Sequence, residues 1–294
     1  MNADAKTARL ALIALLAGAV GIGFAPIFVR LSEIGPVATA FHRLFLSLPL
    51  FFLWMNIEPK RGMAAHRPTS RLDWLLLAGA GLFFCADLSV WHWSIGMTSV
   101  ANATLLPNFA PIFVALGGYI FLGHRFRPLF LVGLGTAVVG AAILMGESFS
   151  LSAGQLAGDA LALLAAFFYA GYILAIGRLR TRFSTATIMS WSGIFCSAGL
   201  FAVAAISGEG FIAPSLYGWL VLLGLALFSH LGGQGLIAYG LAHLPAAFGS
   251  VTLLLQPVVA AILAWFLFAE ALSIWQGIGS LVILAGIVLA RKGS

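Results

Sequence analysis

Asp87 is the one acidic residue near the middle of a long apolar stretch, which makes it the first residue to ask chemistry of. An ionisable side chain in hydrocarbon costs at least about 2.5–3.5 kcal/mol on insertion scales, so it faces a cavity or a partner and is functional by default. Phe84 stands three residues before it and Trp91 four after, which puts all three on one helical stripe. A carboxylate so flanked can attract a substrate ammonium while the rings hold a side chain. The other reading of Asp87 is a structural pair with His42, Arg43 or His92, or a position close enough to one end to be hydrated.

Amides come next. Asn102 and Asn108 fall in one apolar stretch and Gln256 in another. Amide side chains both donate and accept, which suits an amino acid or another zwitterion; they also serve as polar glue between membrane helices. His230 and Gln234 stand one turn apart and share a polar face, where an interhelical histidine is the plainer role. Tyr169 is a deep candidate for lining a cavity, with Tyr172 beside it, whereas Tyr239 reads as part of an interfacial belt. Trp91 and Trp93 bracket His92 on alternate faces, so only part of that cluster looks inward. Pro26, Pro107, Pro111 and Pro257 lie within apolar stretches, where a proline frees a carbonyl and bends a helix. Each is either a gating hinge or a static kink.

These groups do not assemble into a catalytic or metal site. No Gly-x-Ser-x-Gly elbow accompanies the serines, His-Glu-x-x-His is absent, and the connecting loops are too short to carry a transferase centre. No catalytic residue, metal or cofactor is expected.

The elements that must position these residues follow from composition. Of 294 residues, 62% are hydrophobic and 8% charged, against about 25% charged in an average soluble domain. So small a supply of charge cannot cover a water-facing surface, and the partner over most of the outer face is lipid. A bilayer span needs roughly 20 apolar residues. Such runs occur at 8–29, 37–56, 74–95, 99–122, 128–145, 155–177, 185–206, 215–240, 246–268 and 273–290. The first reaches Arg30 with no convincing cleavage signal and reads as a retained span. Cys85 and Cys196 fall inside spans, which points to inert packing rather than a disulfide framework.

A net charge of +6 is compatible with a nucleic-acid partner, but its distribution argues against one. Alternate connections on one side hold 13 of the 15 basic residues: Lys6, Arg9, Lys60, Arg61, Arg67, Arg71, Arg125, Arg127, Arg178, Arg180, Arg182, Arg291 and Lys292. Positive loops stay on the cytoplasmic side. Both termini are therefore expected there, in a bacterial inner membrane. Glu33, Glu147, Glu209 and Glu270 fall on the other side, and Arg43 lies within the second span.

Shifting the chain by 146 residues pairs Ala101 with Ala247, Pro111 with Pro257, Gly133 with Gly279 and Gly140 with Gly286. A shift of 148 pairs Gly23 with Gly171 and Arg30 with Arg178. The expectation is an all-α membrane protein of ten transmembrane helices, built from two five-helix copies over 1–147 and 148–294. Five is odd, so the second copy inserts upside down, the inverted-repeat design of secondary transporters with a midplane site.

With the duplicated Ala-x(9)-Pro segments at Ala101–Pro111 and Ala247–Pro257, and the Pro36-to-Arg43 segment, the sequence resembles the drug/metabolite transporter superfamily, specifically its ten-helix EamA type. His124 stands where that family usually has Glu. The likeness implies an alternating-access carrier in which spans 1, 3, 4, 6, 8 and 9 surround a central cavity and spans 5 and 10 are peripheral. Among members it is most similar to exporters of amino acids and related metabolites, the YddG-type aromatic amino-acid exporters included. The partners implied are a small-molecule substrate and the lipid bilayer, with a monomer plausible and an oligomer left open. The rivals are a channel, an intramembrane enzyme, and a nucleotide-sugar or phosphometabolite carrier. The last would favour Lys or Arg lining the cavity, whereas here nearly all basic residues are in loops.

Overall fold

The computed structural model describes residues 3–57, 67–95, 97–98, 103, 105–145, 155–268 and 273–294. Among them, eight helices are long and apolar enough to cross a membrane: α1 (Thr7–Leu31), α2 (Pro36–Ile57), α3 (Arg71–Ser94), α6 (Leu156–Leu179), α7 (Thr185–Ile206), α8 (Leu216–His243), α9 (Ala246–Leu267) and α10 (Ile274–Gly293). Two shorter apolar helices, α4 (Leu106–Leu122) and α5 (Pro128–Leu144), complete the set. Helices satisfy every backbone group within one segment, which is what hydrocarbon demands. Their outward faces carry large apolar side chains such as Phe121, Ile206 and Phe266 at 81%, 88% and 78% exposure. Water would penalise that surface; lipid does not.

The chain divides into two compact units, Met1–Ser89 with Ala175–Leu244, and Val90–Leu174 with Pro245–Ser294. Each draws on both halves of the sequence, and the divisions fall inside α3, inside α6 and between α8 and α9.

In the first unit α1 packs against α8 through glycines. A Cβ on Gly18 would meet the Gly233 carbonyl at 2.7 Å, and one on Gly240 would meet Leu15 at 2.8 Å. Small residues at such crossings let backbones touch, which is how membrane helices associate without a hydrophobic driving force between them. At one end of this unit Glu209, between α7 and α8, accepts the Ala38 amide at 2.7 Å on the first turn of α2. Glu33, between α1 and α2, accepts the hydroxyl of Ser215, the N-cap of α8, at 2.8 Å. Carboxylates favour helix N-termini because the macrodipole is positive there. At the other end Asp73 pairs with Arg182 at 2.9 Å. Asp73 also accepts the Thr69 and Ser70 amides, while the Ser70 hydroxyl accepts the Asp73 amide, a capping box that starts α3. Arg180 reaches the Leu241 and Leu244 carbonyls at 2.8 and 3.3 Å, tying the α6–α7 loop to the end of α8. Its burial lowers its pKa from the ordinary guanidinium value.

In the second unit α5 and α10 lie against each other along most of their length. A Cβ on Gly140 would meet the Ile283 amide at 2.6 Å, and ones on Gly133, Gly279 and Gly286 would also run into the opposite backbone. The matched glycine pairs therefore mark a close helix crossing. A capping box of Ser273 and Gln276 starts α10, and the Thr98 hydroxyl donates to Asp159 at 2.5 Å near the start of α6.

Candidate functional site

The first unit carries a buried polar cluster on α2, α3, α7 and α8. α2 is broken: Pro36–Phe45 ends where the Ser47 hydroxyl bonds the Leu44 carbonyl at 2.7 Å, and Leu48–Ile57 restarts with Pro49 in its first turn. His42 and Arg43 occupy the last turn of the first piece, where a helix C-terminus favours cations. His42 is committed locally, with Nδ1 2.9 Å from the Ala38 carbonyl and its ring edge-on to Trp219. The charge of Arg43 instead reaches Asp87 on α3, and it also reaches His230 on α8.

Phe84, one turn before Asp87, is buried and stacks on His230 with ring centroids 6.1 Å apart and planes 12° from parallel. Phe51 meets the same imidazole edge-on at 5.7 Å. The buried His230 Nδ1 has no hydrogen-bond partner among the described residues. Cys196 on α7 lies within electrostatic reach of Cys85, Asp87 and Arg43. Both cysteines are free and buried, in agreement with a packing role. Among the described residues no group of three or more His, Cys, Asp or Glu could hold a metal ion.

The backbone carrying His230 and Gln234 is not an α-helix. Between the α-helical pieces Leu216–Gly224 and Gly235–His243, residues Leu225–Gln234 form a π-helix. Its hydrogen bonds span five residues, and such wide turns frequently mark functional sites. The Ser229 hydroxyl donates to the Gly21 carbonyl at 2.9 Å, holding this stretch against α1. His230 and Gln234 are both buried, four residues apart on this wider turn. Uniform hydropathy gives no warning of the wider turn.

Other expected site residues belong to the second unit. The Trp91 indole donates to the Ala103 carbonyl at 2.8 Å, so its polar edge is used in joining the end of α3 to the approach to α4. Its ring also lies 4.8 Å from that of His92. Tyr169 is half-buried and stacks on the buried Tyr172 at 6.1 Å. Asn108 is half-buried in the 3₁₀ turn Leu106–Phe109. Gln256 is half-buried too, and its buried Nε2 has no hydrogen-bond partner among the described residues. Asn102 lies outside the described residues.

Pro26 sits in the first turn of Ala25–Leu31, Pro107 in that of Leu106–Phe109, Pro111 in that of Ala110–Leu122 and Pro257 in that of Leu255–Phe268. Each proline thus restarts a helix rather than interrupting one, the position where its missing N–H costs nothing. Pro49 follows the same rule and was not singled out by its sequence context.

The sequence profile of the EamA-like transporter family matches residues 9–146 and again 156–291. The chain belongs to the EamA-like transporter family. It is a multi-pass membrane transporter of a small molecule, not an enzyme. A transporter of Archaeoglobus fulgidus is 26% identical over 270 residues, 90% of this chain and 91% of that one. The pseudopaline exporter of Pseudomonas aeruginosa is 29% identical, covering 74% and 75% of the two chains. The riboflavin transporter of Brucella anthropi is 27% identical, covering 71% and 74%. A solved crystal structure matches at a TM-score of 0.77 over 98% of this chain and 97% of its own, with 17% identity, a likeness of fold alone.

Proposed function

We propose that this EamA-family member is an alternating-access secondary transporter that exports neutral and aromatic amino acids, related metabolites or cationic drugs. The observation that carries the substrate class is the buried Asp87 within reach of the charge of the half-buried Arg43, with the stacked rings of Phe84 and His230 in the same unit. A zwitterion presents a carboxylate and an ammonium, and a guanidinium and a carboxylate in low dielectric are the matching partners. The stacked rings suit an apolar or aromatic side chain. Trp91, Asn102, Asn108, Tyr169, Gln234 and Gln256 complete the proposed lining.

The proposed architecture is ten spans as two inverted five-helix copies, 1–147 and 148–294, around a central cavity, with both termini in the cytoplasm of a bacterial cell and the protein in its inner membrane. Support comes from the twofold match to one family profile. It also comes from the loops that meet within the first unit, since Glu33 with Ser215 and Asp73 with Arg182 join connections that an alternating topology puts on common sides. Equivalent breaks add to this, at Leu106–Phe109 before Pro111 and after Thr252 before Pro257. A monomer suffices for this mechanism.

The test is flux in reconstituted vesicles, with and without a pH gradient, across labelled amino acids, polyamines and aromatic cations. Saturable transport with counterflow of aromatic or neutral amino acids is the expected result. Conductance without saturation would mean a pore, and preferential movement of phosphorylated metabolites would move the assignment to an anion carrier.

A further inference from the structure

At one end of the second unit, the α4–α5 loop, the start of α9 and the end of α10 enclose a pocket of about 320 Å³. Gly123 shapes the loop. Its φ of 65° is left-handed, and the next amide, His124, returns to the Gly118 carbonyl at 3.0 Å, a helix stop that glycine adopts at least cost. The chain folds back so that His124 and Phe126 lie against Gly118, where a Cβ would stand 3.2 and 3.5 Å from them. Phe126 then stacks on the buried Phe130 at 4.9 Å. Phe248 closes the apolar side.

Arg125 and Arg127 lie on the pocket wall and are exposed, and among the described residues no Asp or Glu side chain lines it. Arg291 and Lys292, also exposed, stand just before the Gly293 and Ser294 that border it. The charge is not a by-product of the duplication. The positions 146 residues on from His124, Arg125 and Arg127 are Glu270, Ala271 and Ser273. Depth is fixed by the helices, because α4 ends at Leu122, α5 begins at Pro128, α9 begins at Ala246 and α10 ends at Gly293. The pocket therefore lies where hydrocarbon gives way to headgroups, with Phe121 and Leu129 exposed just inside that level.

We infer that this pocket binds the headgroup of an anionic phospholipid. Arg125 and Arg127 hold the phosphate, for which the planar guanidinium fork is suited. Phe126, Phe130 and Phe248 meet the glycerol and the first acyl carbons. A free phosphate would use the cationic wall and leave the aromatic floor unused, and a zwitterionic lipid would bring its own cation against the arginines.

The purified full chain, stripped of lipid, is offered phosphatidylglycerol or phosphatidylcholine and examined by native mass spectrometry. Phosphatidylglycerol is retained preferentially, and Arg125→Gln with Arg127→Gln lowers that retention by about fivefold for each arginine, from about 1 kcal/mol per basic residue near an anionic surface. The control pair Arg67→Gln with Arg71→Gln keeps it, and excess inorganic phosphate does not displace it. Equal retention of the two lipids, displacement by phosphate, or an equal loss in the control pair would overturn the assignment. If the double variant does not fold, photoactivatable phosphatidylglycerol on the unaltered protein decides: adducts within 124–130, 245–248 or 293–294 uphold the site, and adducts only elsewhere overturn it.

Discussion

The rings of Phe84 and His230 stack 6.1 Å apart, joining α3 to α8 inside the first unit. His230 is 1% exposed, and its Nδ1 finds no partner among the described residues. A buried donor or acceptor left unsatisfied costs about 1–3 kcal/mol, so removing the polar group while keeping the ring is cheap. His230→Phe is expected to unfold within about 1 kcal/mol of the parent, or slightly above it. If the imidazole meets the substrate in the proposed site, KM rises while stability holds. A thermal-unfolding measurement beside a vesicle uptake curve separates the two, and unchanged KM would leave His230 as packing.

Asp87 and Arg43 make a sharper pair of expectations. Asp87→Asn removes the buried carboxylate on which the charge of Arg43 acts and leaves the half-buried guanidinium without it, a loss bounded above by the about 3–5 kcal/mol of a fully buried pair. Adding Arg43→Gln should restore much of that stability, since losing both charges is far less costly than losing one. Transport is expected to drop by about tenfold or more, the equivalent of about 1.4 kcal/mol, in both variants. Recovery of transport along with stability in the double variant would make the pair structural only.

Asp73 and Arg182 separate capping from ion pairing. Arg182 is 44% exposed, so its share of the pair is screened, and Arg182→Gln is expected to cost less than about 1 kcal/mol. Asp73→Ala also removes the acceptor of the Ser70 and Thr69 amides, adding about 0.5–2 kcal/mol for the lost cap. Asp73→Ala should therefore lower the unfolding temperature more than Arg182→Gln does. Equal shifts would mean that the ion pair carries the effect.

The positions of the apolar helices were legible because a bilayer imposes one length on every crossing. The runs at 185–206 and 246–268 agree with α7 and α9 to within a residue. What packs against what was not legible. Hydrophobic residues surround these helices, so the face that meets protein is not distinguished from the face that meets lipid. Hence Asp87 was visible as a lone charge, whereas Arg43 stood only as one of three partners for it. The breaks in α2 and α9 and the π-stretch of α8 were hidden for a related reason, because a change of backbone pitch leaves hydropathy unaltered. Glycine was the exception: pairs matched at an offset of 146, such as Gly133 with Gly279 and Gly140 with Gly286, proved to lie on α5 and α10, each against the opposite backbone.

Those glycines give a paired prediction. A methyl on Gly279 or Gly286 would enter the backbone of α5, whereas nothing lies within 4 Å of one on Gly277. Gly286→Ala must separate the helices and is expected to destabilise by about 1–3 kcal/mol, the usual cost of overpacking. Gly277→Ala is expected to be neutral or to stabilise by up to about 1 kcal/mol through helix propensity. Unfolding in detergent distinguishes them, and similar effects at both positions would contradict the close α5–α10 crossing.

Pro26, Pro107, Pro111 and Pro257 lead to the last prediction. Each stands in the first turn of a segment that follows a break. The amides of a first turn have no partner within the helix, so a proline there forfeits no hydrogen bond. Pro257→Ala is accordingly expected to change stability by no more than about 1 kcal/mol. Its effect on transport has a different origin. Alanine lets the helix run back through Leu253 and Leu254, where the Leu253 amide now reaches the Gly249 and Ser250 carbonyls in a tightened turn. If the break flexes during the transport cycle, a continuous helix stiffens it and turnover falls while KM stays near its original value. Substrate counterflow measured on Pro257→Ala and on Pro26→Ala reads this directly. Normal turnover in a variant that folds normally would make that break a static bend, with the proline there only to start the helix.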